Sequence, residues 1–99
     1  MSATPVEVVH DRDHHRFVAL VGGVEAYLRY KVQGRVLDFF HTYVPEAARS
    51  RGIAEQLVRA GFAFAKEQGC TVIPSCPYVG QTFLKRHPEF QSLVQRPVP

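Results

Sequence analysis

The chain has 99 residues, of which 45% are hydrophobic, and a formal net charge of +3. That length suits one hydrophobic core, so a single domain over residues 1-99 without a linker is expected, and the apolar share excludes a disordered chain. The charge favours an anionic small ligand and is too small to call for nucleic acid by itself. The longest apolar run, Phe17 to Val24, falls far short of a bilayer span, and Met1 to Pro5 lacks the basic and then apolar pattern of an export signal. A cytoplasmic monomer without membrane or nucleic-acid partners is therefore expected, with Cys70 and Cys76 as free thiols.

Val6 to Val9 predicts a short first strand. His15 to Val21 predicts a second, closed by Gly22-Gly23 as a tight hairpin turn. Ala26, Leu28, Tyr30 and Val32 alternate as in a third strand, and Gln33-Gly34 is the next turn. Arg35 to Val44 makes the fourth and longest strand, stopped by Pro45. After Gly52 the period changes from two to 3.6 residues. Ile53, Ala54, Leu57, Val58, Gly61, Phe62, Phe64 and Ala65 share one helical face, and Gly69 stands where a left-handed C-terminal residue is expected. The segment CTVIP, residues 70–74, then predicts a buried strand parallel to the fourth, reached through the helix. Pro77 suits the first turn of a second short helix, Tyr78 to His87, which Pro88 ends. The order β-β-β-β-α-β-α defines an α+β fold, a mixed sheet whose first four strands form an antiparallel meander.

The turn before the long helix carries Arg49, Arg51 and Gly52 instead of the Asn, Asp or Ser that usually opens a helix. Free amides of a first turn and the helix dipole attract anions, and arginines add charge-assisted bonds to phosphate. Taken alone, R-x-x-G reads as a pair of solvated arginines in a turn eased by glycine. Its surroundings discriminate. Residues 49–54 fit the Q/R-x-x-G-x-G/A signature of the GNAT superfamily of N-acetyltransferases, with Ala54 in the last place. HTYVPEAARSRGIAEQLV, VIPSCPYV and FLKRHPEF follow in order, and from about His41 to Val94 the chain resembles the short GNAT-like group with an H-T-x-V-P … C-P-Y pattern.

The resemblance implies a GNAT-like fold that binds acetyl-CoA. Backbone groups of Tyr43 and Val44 would pair with the pantetheine arm, and Arg49, Arg51, Gly52, Ile53 and Ala54 would cradle the pyrophosphate. It also implies acetyl transfer to an amine on a small molecule or a protein. The chain lacks the helices that many relatives place between the first two strands to cover the acceptor.

Cys76 stands before Pro77, at a helix N-terminus that favours a thiolate, and the resemblance would bring it close to the thioester. It is either a nucleophile that accepts the acetyl group or a small buried side chain. His41, two residues before the pantetheine site and in phase with Leu37 and Phe39, is the candidate base, with a backbone-bonded histidine as the alternative. Tyr78 is placed to protonate the departing CoA thiolate, although a buried, hydrogen-bonded tyrosine would read the same. Lys85 and Arg86, with His87, either complement the end of the second helix or reach cofactor phosphates. No metal is expected: His14-His15 with Asp11 and Asp13 reads as a polar turn, and C-x-x-C and H-E-x-x-H are absent. Two rival readings are a CoA-binding module without efficient transfer and a nucleic-acid platform of strand aromatics. The second lacks the helix that an RRM sheet needs after its first strand.

Overall fold

A computed structural model describes residues 6–49 and 51–95. Five strands form one sheet in the order β1-β2-β3-β4-β5: β1 is Val8–Asp11, β2 Arg16–Val21, β3 Val24–Gln33, β4 Val36–Tyr43 and β5 Thr71–Ile73. β1 to β4 pair antiparallel, and β5 runs parallel to β4 through Val36↔Thr71, Leu37↔Val72 and Asp38↔Ile73. The α+β mixed sheet expected from the sequence is the fold observed. The N-terminal five residues, read above for an export signal, and Ser50 within the signature lie outside the described residues.

Period-two patterning sends Phe17, Ala19, Ala26, Leu28, Tyr30, Leu37, Phe39 and Val72 to one buried face of the sheet. Helix α1, Ile53–Gln68, answers with Ile53, Leu57, Val58, Gly61, Phe62 and Ala65, all buried. Phe62 lies edge-on to Phe39 at 5.4 Å and stacked on Phe83 at 5.6 Å, so one ring joins the sheet, α1 and the second helix. Its burial contributes about 1.5–3 kcal/mol. Gly61 sits where α1 crosses the sheet, and a Cβ there would meet Phe39 at 2.8 Å. Gly69, at φ 69°, closes α1 by donating its amide to the carbonyls of Ala65 and Lys66, as its position in the sequence implied.

Three expectations need correction. β1 is displaced toward Asp11, because pairing with β2 and not apolarity fixes its end: His10 stacks on Phe17 at 4.1 Å, and Asp11 accepts from Arg16 at 3.1 Å. A 3-10 turn, Arg12–His14, then leads to His15 in the left-handed region at φ 51°. The second helix is π-helical over Tyr78–Phe83 and α-helical over Leu84–Arg86. Pro88 ends it and also opens a 3-10 segment, Pro88–Leu93, its fixed φ suiting a first turn. Beyond it Val94 bridges Val72 in parallel and the Gln95 amide bonds to the Val72 carbonyl at 2.8 Å, so chain also covers the outer edge of β5.

Candidate active site

The third correction shapes the site. Arg29 pairs with His41 but Tyr30 pairs with Phe39, so Phe40 is an extra residue in β4, a β-bulge. One inserted residue exchanges the faces of everything after it. Leu37 and Phe39 point into the core, whereas His41 does not share their side as the alternation had suggested. It pairs with Arg29 on the uncovered face, exposed, with its ring 5.9 Å from Tyr27. Tyr43 lies on the same face, 39% exposed and 5.4 Å from Tyr27. Thr42, opposite the fully buried Leu28, takes the inward position instead.

β5 pairs with β4 only as far as Asp38, so the two strands part before the C-terminal half of β4. A backbone bond spans the gap near the bulge: the Cys76 amide donates to the Phe39 carbonyl at 2.9 Å. The Cys76 side chain is 6% exposed, and its sulfur lies 3.3 Å from the Thr42 hydroxyl. Proximity in the fold thus joins Cys76 to Thr42 and not to His41. Thr42 stands in the H-T-x-V-P pattern without an assigned role, because only the bulge turns it inward.

At the other end of this opening stands the N-terminus of α1. Pro45 leads into a 3-10 turn, Glu46–Ala48, and Gly52 then adopts φ 72°, ψ 20°, a left-handed conformation that glycine reaches without strain. Among the described residues, no side chain caps the helix. The core anchors it from below through Ile53, 1% exposed, while Ala54 and Glu55 complete its first turn. The Gly52 carbonyl is engaged by both the backbone amide and the side-chain amide of Gln56, each at 3.2 Å. First-turn amides point out of the helix and carry its positive dipole end, so the turn can receive an anion. Arg51 is exposed. Arg49, also exposed, donates from Nε to the Val44 carbonyl at 3.0 Å, which links two residues the sequence had assigned to different parts of one ligand.

The second helix supplies the remaining groups. Tyr78 is half-buried, and its phenol is pushed above its usual range by burial first and then by the nearby Glu55 charge, with Cys76 adding and Arg86 opposing. Glu55 sits in the first turn of α1 but reaches across to His87, Oε1 to Nε2 at 2.6 Å. That bond chiefly holds the Glu55 carboxyl below its ordinary value. This hydrogen bond ties the end of the second helix to the first turn of α1, a contact with no signal in the sequence. Lys85 and Arg86 are exposed in the last turn, with Arg86 close enough to act on both Glu55 and Tyr78. Among the described residues, no group of three or more side chains could hold a metal ion, and no helix is long and apolar enough to cross a membrane.

Residues 16–93 match the family model for the GCN5-related N-acetyl-transferase. Protein NATD1 of Bos taurus is 38% identical over 87 residues, which is 85% of this chain and 76% of that protein. Protein NATD1 of Danio rerio is 35% identical over 94 residues, 92% of this chain and 84% of that one. Among solved structures, the aminoglycoside N-acetyltransferase AAC(6')-Iy in complex with CoA matches with a TM-score of 0.45 and 23% identity, over 86% of this chain and 71% of that one. The chain belongs to the GCN5-related N-acetyltransferase family, as the signature at Arg49 to Ala54 had indicated.

Proposed function

We propose that the protein binds acetyl-CoA at the mouth of α1 and transfers its acetyl group to an amine. The observation that carries this reading is the uncapped first turn behind a left-handed Gly52, flanked by Arg49 and Arg51, in a chain of this family. The pyrophosphate would lie on the amides of Gly52, Ile53 and Ala54. Arg49 would exchange the Val44 carbonyl for a phosphate, which frees that carbonyl and its neighbour Tyr43 for the pantetheine amides. Lys85 and Arg86 add positive charge at the adjoining helix end.

For the chemistry, Cys76 is assigned as the group that takes the acetyl. Its thiolate attacks the thioester carbonyl, a new carbon–sulfur bond forms, and the bond to CoA breaks. The departing CoA thiolate takes a proton from Tyr78, whose phenol burial keeps protonated at neutral pH. The acceptor amine then displaces the Cys76 thiolate from the acetyl carbonyl, and the proton the amine loses returns through solvent to the Tyr78 phenolate. His41, on the far face of the sheet, is not given the role of base in this scheme. Acetyl-CoA supplied without an amine should add one acetyl group to Cys76, and Cys76→Ala should abolish both this adduct and steady-state transfer. An alanine variant that transfers acetyl at the wild-type rate would establish direct attack by the amine. Tight CoA binding without transfer to any amine tested would favour a binding module.

A further inference from the structure

The β4 bulge does more than move His41. It puts Thr42, and not His41, in the inward row begun by Leu37 and Phe39, and so places a hydroxyl 3.3 Å from the Cys76 sulfur. The same bulge offers the Phe39 carbonyl to the Cys76 amide at 2.9 Å. Cys76 is thus held at two points, backbone and side chain, by Phe39 and Thr42 on either side of one strand irregularity. Cys76 belongs to the same buried core as Val79, Phe39 and Phe83. Thr42 is the hydrogen-bonding side chain in contact with this sulfur among the described residues. If packing alone mattered, Val would serve as well in a strand, being branched in the same way and without a hydroxyl to satisfy.

We propose that Thr42 is a positioning residue, its hydroxyl directing the Cys76 sulfur toward the opening between β4 and β5 and donating a hydrogen bond to it as the thiolate forms. This rests on the assignment of Cys76 as acetyl acceptor but can be tested apart from it. No proton leaves Thr42. The Cys76 proton passes to solvent, and the hydroxyl donates to the sulfur of the thiolate. A hydrogen bond to a charged group contributes more than one between neutral groups, so its loss slows reactions of the thiolate.

The experiment compares Thr42→Val and Thr42→Ser in a Cys70→Ser background, so that Cys76 is the one thiol left. The rate of alkylation by iodoacetamide at a fixed neutral pH needs no acetyl-CoA. Thr42→Val should lower it about tenfold, and Thr42→Ser should restore most of the rate although it lacks the methyl group. CoA affinity, by calorimetry, should remain within twofold in both. Equal alkylation rates in Thr42→Val and its parent would overturn the proposal, and so would a serine variant as slow as the valine one, because that would assign the effect to packing. Should Thr42→Val not fold, Thr42→Ala against Thr42→Ser makes the same comparison. An alkylation effect without any acetyl adduct would retain the positioning role and remove Cys76 from the transfer reaction.

Discussion

Gly52 performs two tasks that one pair of substitutions separates. At φ 72° a residue with a Cβ pays for a left-handed backbone, about 1–2 kcal/mol for alanine. For a domain of this size 1 kcal/mol corresponds to about 4–8 °C in melting temperature. Asparagine tolerates the left-handed region far better, so Gly52→Asn should melt close to the wild type while Gly52→Ala falls by several degrees. Binding should sort differently. An Asn side chain at this position lies against the first-turn amides that the structure leaves uncapped and competes with an anion for them. CoA affinity in Gly52→Asn should drop at least tenfold, or ~1.4 kcal/mol, despite its near-native stability. Thermal melts followed by circular dichroism, with calorimetric titration of CoA on the same samples, measure both quantities. A folded Asn variant that binds CoA like the wild type would refute the placement of the phosphates at this turn.

Gly61→Ala should destabilise the protein by about 1–3 kcal/mol in urea titrations, because the added methyl meets Phe39 at 2.8 Å, and CoA affinity in the folded fraction should be unchanged. Arg49→Ala and Arg51→Ala should weaken CoA more than a phosphate-free pantetheine analogue, since charge pairing to phosphate is what they add; equal losses would assign both arginines to loop structure. The Glu55 carboxyl is held below its usual 4.5 by His87, so the stability this bond contributes is present above that value and is lost as pH falls through the lowered one. Glu55→Gln should therefore be less stable than the wild type near neutrality and approach it in acid, as urea midpoints measured across this range would record; a constant difference at every pH would disprove the linkage.

The alternation of β2 and β3, the glycines at both ends of α1 and the parallel return to β5 were all legible in the sequence, because each follows from a local rule of period or backbone conformation. The N-terminal mouth was legible too, since Gly52 and its arginines lie within four residues. The bulge was not. Phe40 continues a run of aromatic and β-branched residues that suits a regular strand, and the insertion is visible only in the partners chosen by Arg29 and Tyr30. Extrapolated alternation therefore placed His41 in the core-facing row and left Thr42 without a role. The Glu55–His87 bond, between residues 32 positions apart, likewise depends on how the second helix packs on α1. His10 and Asp11 belong to β1 through their cross-strand partners, which an apolar pattern could not register.

The central claim is that a CoA thioester lies with its pyrophosphate on the first turn of α1. Calorimetric titration of acetyl-CoA into the wild-type protein and into Gly52→Glu tests it most directly, with an RNA oligonucleotide as control ligand. The expected result is saturable one-site binding to the wild type, a loss of at least tenfold in the folded Glu variant from charge and bulk at the phosphate position, and no heat with RNA. Equal affinity of wild type and Gly52→Glu for acetyl-CoA, or no binding to either, would contradict it.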